Sequence, residues 1–242
     1  MKKFLVALLA LFILNACAAK KEDTSAMTAE TLYTKGYKNL KKTRYEKAAN
    51  YFEKVEVEHP YSKWAVKSKL MGAYAYYKDG KYDDALLTLE RFIKYHPGNK
   101  DIAYAYYLQG ICLYDQISPA EKEQSVSAKA YQALGDVVTL FPDTEYAKDA
   151  KAKMNLALDH QAAHEMTVGR YYLNDKNYLS ALNRFNTVVE KYQTTVHIEE
   201  ALYRQVEIYT ILGLNAEAKR SAEVLNYNYP KSKWNKKAQD LI

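Results

Sequence analysis

One spacing recurs along this chain and restricts its fold more than any other feature. Gly36, Ala48, Phe52 and Pro60 follow one another at intervals of 12, 4 and 8 residues. Adding 37 to each position gives Ala73, Ala85, Leu89 and Pro97. In a third copy Gly110 keeps the period of 37 from Ala73, whereas Ala130, Leu134 and Pro142 stand 45 residues beyond their counterparts. An insertion of 8 residues therefore interrupts this copy, within 115–125. A fourth copy reads Gly169, Ala181, Phe185 and Gln193, and a fifth reads Val206, Ala218, Ala222 and Pro230. A fixed period of this length signals one supersecondary unit stacked repeatedly, because a single unit cannot bury its own apolar face.

Each recurring residue has a physical role. Gly or Ala where two helices cross lets their backbones approach. The Phe or Leu four residues beyond the second small residue fills the space between neighbouring hairpins. Proline lacks an amide hydrogen and ends the second helix. The segments Lys41-Lys42-Thr43-Arg44-Tyr45, Lys78-Asp79-Gly80-Lys81-Tyr82 and Asn174-Asp175-Lys176-Asn177-Tyr178 are matched polar turns, with Asp79-Gly80 as a helix stop. No stretch alternates with period two, so no sheet is expected. The pattern is that of tetratricopeptide repeats (TPRs). It predicts an all-α, TPR-like α-solenoid of about five helical hairpins in two subdomains. Repeats 1–3 occupy 29–142 and repeats 4–5 occupy 169–242. Gln193 lies 51 residues after Pro142, 14 more than the period, and 145–173 holds no proline and a single glycine. A connecting helix over 143–168 is therefore predicted.

Tyrosine is over-used, with 24 Tyr against 6 Phe and 2 Trp. Its ring can be buried while its hydroxyl stays wet, which suits a thin solenoid. In TPR arrays the first helix of each hairpin lines a concave groove. The groove positions here are Glu30, Tyr33, Tyr37 and Leu40, then Lys67, Leu70, Tyr74 and Tyr77, then Tyr104, Tyr107, Ile111 and Tyr114. Seven of these twelve are Tyr. Tyr33, Tyr37, Tyr74, Tyr77, Tyr104, Tyr107 and Tyr114 are accordingly the candidate peptide-binding residues. Rings of this kind offer contact area at low entropic cost to extended peptides that carry aromatic residues.

The first 28 residues are unlike the rest. Lys2-Lys3 precede an apolar run of 11 residues at 4–14. That run is too short to span a bilayer, which takes about 20 residues, and it fits the core of an export signal. Leu14-Asn15-Ala16-Cys17 follows and resembles the lipobox of bacterial lipoproteins. The resemblance implies cleavage after residue 16, diacylglycerol on the Cys17 sulfur and acylation of the new amine by a fatty acid such as palmitate. Ala18, in place of the Asp that commonly retains such proteins in the inner membrane, points to the outer membrane. Residues 17–28 then read as a lipidated flexible tether. The other cysteine, Cys112, sits in an apolar helical context and reads as a buried small side chain.

Catalytic patterns are missing. There is no Gly-rich phosphate loop of Rossmann or P-loop spacing and no Gly-x-Ser-x-Gly elbow. His160 and His164 share a helix face, but Gln161 stands where a zinc protease carries Glu. No catalytic residue, metal site or cofactor is expected. The net charge of +6 is spread along the chain, without the dense basic block that nucleic acid requires.

Three stretches carry a closer likeness. They are Tyr51-Phe52-Glu53-Lys54-Val55-Glu56-Val57-Glu58-His59-Pro60-Tyr61-Ser62, Ala75-Tyr76-Tyr77-Lys78-Asp79-Gly80, and Ala103-Tyr104-Ala105-Tyr106-Tyr107-Leu108-Gln109-Gly110. With Gly169-Arg170-Tyr171-Tyr172-Leu173 and Ala181-Leu182-Asn183-Arg184-Phe185, they make the chain resemble the BamD family, lipoproteins of the outer-membrane β-barrel assembly (BAM) machinery. The resemblance implies a non-enzymatic scaffold on the periplasmic face of the outer membrane. Its later repeats would bind the POTRA region of the barrel subunit BamA, and its earlier repeats would receive unfolded outer-membrane proteins. Other BAM lipoproteins are implied as partners. Two other readings stay open: a periplasmic TPR lipoprotein serving as a peptidoglycan or cell-division adaptor, and a helical-solenoid muramidase. The adaptor commonly adds a coiled coil, and 18–28 has no heptads. The muramidase needs a catalytic domain, for which no stretch outside the repeats is long enough.

Overall fold

The computed structural model describes residues 23–122 and 124–242. The export signal and Cys17 lie outside the described residues. Eleven helices and no strand are present among the described residues: α1 Ala29–Lys41, α2 Tyr45–Glu58, α3 Lys63–Lys78, α4 Tyr82–Tyr95, α5 Ile102–Tyr114, α6 Ser125–Leu140, α7 Glu145–Asn174, α8 Tyr178–Lys191, α9 Ile198–Ile211, α10 Asn215–Asn228 and α11 Lys233–Gln239. They form an all-α, TPR-like array of the hairpins α1/α2, α3/α4, α5/α6, α7/α8 and α9/α10, with α11 packed on the last.

The turns within hairpins repeat to the residue. Thr43, Gly80, Lys176 and Gly213 each adopt a positive φ, at 55°, 75°, 60° and 74°. Two of these pairs stand 37 residues apart, as the period requires. Gly80 and Gly213 take this left-handed conformation without strain, whereas Thr43 and Lys176 take it against the Cβ penalty. Hydroxyl and amide caps fix several helix starts. Thr28 Oγ1 accepts from the Thr31 amide, Thr144 Oγ1 from Ala147 and Asn177 Oδ1 from Ser180.

The core is a row of close crossings. Phe52, Leu134 and Phe185 are fully buried. A Cβ added at Gly36 would meet the Phe52 ring at 2.8 Å, one at Gly110 the Leu134 side chain at 2.7 Å, and one at Gly169 the Phe185 ring at 2.6 Å. These large side chains therefore press first on the glycine of their own hairpin. Phe52 also reaches the next hairpin, where its Cβ lies 3.5 Å from a Cβ built at Gly72. The expected contact between hairpins is thus joined by a closer one within the hairpin. Small faces large at these crossings: Gly faces Phe in repeats one and four and Leu in repeat three, and the periodic partners in repeat two are Ala73 and Leu89.

The long connection is a single helix. α7 runs unbroken for 30 residues, about 45 Å at 1.5 Å per residue. The sequence boundary at 168/169 falls inside it. Its first half packs on α5 and α6, its second half pairs with α8, and its buried face is mostly small: Ala147, Ala150, Ala157, Ala162, Met166 and Gly169. The buried Ser127 hydroxyl donates to the Ala157 carbonyl at 2.9 Å and ties α6 to its middle. From the expected insertion within 115–125, Ala120 lies against the same helix, its carbonyl 2.6 Å from His164 Nδ1.

Part of the expected tether is docked. Thr24 is only 5% exposed. Its hydroxyl accepts from Lys54 Nζ at 2.6 Å and donates to Glu58 at 3.3 Å. His59 Nε2 lies 2.8 Å from the Met27 carbonyl, and Met27 packs on the first core cluster. Residues 24–28 thus belong to the folded body.

A tyrosine-lined groove and an apolar edge

Successive first helices α1, α3, α5 and α7 pack on one another, closer than the second helices do, so their side of the array is the concave one. The seven candidate tyrosines all belong to α1, α3 and α5, but not in one role. Tyr33 is buried, with Trp64 at 4.7 Å between ring centroids and Phe52 at 5.5 Å. Tyr107 repeats this arrangement with Tyr146 at 5.2 Å, and Tyr203 with Trp234 at 5.2 Å. In each case a ring at the second position of a later helix covers a tyrosine of the preceding first helix. Trp64 and Trp234 end the same segment, Pro-x-Ser-Lys-Trp, 170 residues apart. That repeat was legible in the sequence and marks packing. Tyr37 is 41% exposed, stacked on Tyr33 at 6.5 Å. Tyr74, Tyr77, Tyr104 and Tyr114 are half-buried, each keeping some surface toward solvent.

Two hydroxyls bind the array across hairpins. Tyr77 donates to Asp115 at 2.9 Å and Tyr107 to Asp149 at 2.6 Å. Burial, then these bonds to carboxylates, push both phenols well above their ordinary pKa. In return the Tyr107 hydroxyl, and then Lys153, hold the Asp149 carboxyl below the usual aspartate value. A depressed carboxyl pKa stabilises the fold at neutral pH, and that stabilisation is lost as pH falls through the folded-state value. Tyr107→Phe is therefore expected to lower the melting temperature at pH 7, by an amount that shrinks as pH drops below about 4. A gap between the two melting curves that is the same at pH 7 and pH 3 would contradict this.

Between α3 and α5 the groove opens into a cleft of about 440 Å³. Its walls include the predicted positions Lys67, Leu70 and Tyr104, joined by Lys63, Val66, Met71 and Lys100. An apolar floor and a rim of three lysines with Asp101 can together hold an extended peptide with apolar side chains and a carboxylate. In repeats four and five the corresponding first helices carry ion pairs instead: Arg170–Glu200 at 3.0 Å, Arg204–Glu200 at 3.3 Å and Arg204–Glu207 at 2.8 Å. Those charges are already matched.

A second surface was missed by sequence reasoning. At the hairpin turns of repeats four and five, Tyr171 and Leu179 are each 68% exposed, and Ile211, Leu212 and Leu214 are exposed beside Gly213. The signal was available: Ile211-Leu212-Gly213-Leu214 is apolar where the three other matched turns are polar. Exposed apolar patches of this kind mark contact surfaces. Among the described residues no group of His, Cys, Asp and Glu could hold a metal, and His164 faces the Ala120 carbonyl. Cys112 is buried, its thiol pushed up to about 12 by desolvation. No described helix is long and apolar enough to cross a membrane.

Comparison with known proteins matches this sequence over nearly its full length. The family model described as "YfiO: Outer membrane lipoprotein" matches residues 25–225. The outer membrane protein assembly factor BamD of Rickettsia prowazekii is 43% identical over 242 residues, covering 99% of this chain and 96% of its own. The chain belongs to the BamD family. The BamD of Caulobacter vibrioides is 41% identical, covering 93% of this chain and 75% of its own, and that of Neisseria meningitidis serogroup A is 34% identical, covering 96% and 93%. As a BamD-family member the chain is an outer-membrane assembly factor, a scaffold and not an enzyme.

Proposed function

We propose that this BamD-family scaffold works with two separate surfaces while held by an acylated Cys17 at the periplasmic face of the outer membrane. The groove of repeats one to three, through Tyr37, Tyr74, Tyr77, Tyr104 and Tyr114 and the cleft at Lys67 and Leu70, receives unfolded outer-membrane β-barrel proteins. Barrel strands alternate outward apolar residues with polar ones and carry aromatic girdles. They suit a groove of amphipathic rings beside an apolar cleft with three lysines and Asp101 on its rim. The apolar edge of repeats four and five docks the POTRA region of BamA, and other BAM lipoproteins join the assembly. The observation that carries this reading is the division of surface. Partly open rings and a cleft line the first helices of repeats one to three, and the first helices of repeats four and five carry the ion pairs Arg170–Glu200 and Arg204–Glu207 with exposed apolar side chains at their hairpin turns.

Photocrosslinking tests both assignments in one experiment. A probe at Tyr74 is expected to capture unfolded barrel proteins and a probe at Leu212 to capture BamA. Leu212 suits the second probe because it is exposed, whereas Tyr209 is packed against two core clusters. Capture of BamA at Tyr74 and of barrel proteins at Leu212 would overturn the assignment.

A further inference from the structure

The docked segment 24–28 fixes where on the array the described chain begins. Thr24 is bonded to Lys54 and Glu58, at the carboxyl end of α2, and Met27 to His59. The first described residues therefore lie beside the turn that joins repeat one to repeat two. From Thr24 back to Cys17 there are seven residues, a covalent reach of at most about 25 Å.

This edge of the array exposes apolar side chains at several turns, Leu140, Val196 and Tyr227 among them in the later repeats, and the turn beside Thr24 is one of these. Val57 is 73% exposed, Tyr61 is fully exposed, and in the next turn of the same edge Tyr95 is 64% exposed. None of these rings or methyls has the helix-to-helix role found for Tyr33 or Tyr107. Lys63, Lys94 and Lys100 are exposed around them, with Glu58 and Asp101 as the nearby acids. The Lys94 ammonium lies 5.6 Å from the Tyr95 ring centre, so ring and cation form one amphipathic tip. Tyrosine rings and lysine stems are the side chains that settle at the headgroup level of a bilayer, the ring in the interface and the charge outward.

The opposite edge of the same repeats differs. Its turns carry Lys41, Lys42, Arg44, Lys78 and Lys81 without an exposed ring beyond Tyr37. It also lies a helix length away from the docking point, about 20 Å for the 13 residues of α1.

We propose that the edge bearing Val57, Tyr61 and Tyr95 rests on the phospholipid surface in which the acyl chains of Cys17 are anchored. The proposal depends on the lipid-anchor reading above. It adds an orientation: α1 and α2 stand with this edge down on the membrane, and the groove opens alongside the bilayer instead of facing away from it. Docking of residues 24–28 serves this arrangement, because it converts a loose leash into a short one attached beside the contact.

Site-specific quenching tests it on the full, lipidated protein in vesicles of phosphatidylethanolamine and phosphatidylglycerol. Single cysteines replace Tyr61, Tyr95 or, on the opposite edge, Lys78, and carry a fluorophore. Cys112 is buried and stays unlabelled. Nitroxide lipids are expected to quench the labels at 61 and 95 at least about twofold more than the label at 78, because headgroup-level rings lie within reach of the bilayer. Equal quenching at all three positions, or stronger quenching at 78, overturns the proposal. A protein that does not float with the vesicles instead refutes the anchor reading on which it rests, so the two failures are distinguishable.

Discussion

Gly169→Ala is expected to destabilise the fold by about 1–3 kcal/mol, the usual cost of forcing extra volume into a packed core. The new methyl would lie 2.6 Å from the ring of Phe185, which is fully buried and cannot swing aside. The site sits in the half of α7 that pairs with α8, and the same helix carries repeat three on its other half. The loss is therefore felt by hairpins on both sides, as nearest-neighbour coupling in a stacked array requires. The melting temperature should fall by roughly 2–4 °C per kcal/mol for a chain of this size. The second substitution decides the mechanism. Phe185→Leu alone leaves a small void and also destabilises. Combined with Gly169→Ala it rebuilds the Ala–Leu pairing that repeat two uses at Ala73 and Leu89. The double variant should be more stable than Gly169→Ala alone, a coupling that calorimetry or chemical denaturation can measure. Simple addition of the two losses would show that the crossing does not work through size complementarity.

Leu212→Asp combined with Leu214→Asp is expected to weaken binding of a soluble POTRA region of BamA by about 2–4 kcal/mol, roughly thirtyfold to a thousandfold, the range seen when central apolar anchors are removed. Both side chains are exposed in the isolated chain, so its melting temperature should hardly change. Gly213 stays in place because its φ of 74° shapes the turn. Titration calorimetry against the wild type provides the comparison. An unchanged dissociation constant would remove this edge from the partner interface.

The groove shows where reading a sequence succeeds and where it stops. The repeat alignment assigns all seven tyrosines to first helices, and they lie on α1, α3 and α5. It could not separate Tyr33 from Tyr37, four residues and one turn apart. Tyr33 lies under Trp64, which arrives from the next hairpin, while Tyr37 stacks on Tyr33 with an open face. The same limit applies to Tyr107, whose hydroxyl is spent on Asp149 across 42 residues. What a ring is free to do depends on its neighbour in the following repeat, and no local pattern states that neighbour's position.

By itself the sequence determined the all-α class, the repeat number and the small residues where helices cross, and it placed helix in the long interval before repeat four without fixing where that helix ends. These are properties of backbone conformation and of helix faces, and they depend on residues within one or two turns or one hairpin of each other. Only the tertiary structure decided which tyrosines are packing and which are open, that the turns of repeats four and five make one apolar edge, and that Thr24 ties the supposed tether to α2. The first two require surfaces from separate hairpins to meet, and the third requires a segment ahead of α1 to meet residues 30 and 34 positions further along the chain. Their meeting is set by how much volume each crossing excludes, which is a sum over the whole stack and not a property of any one segment.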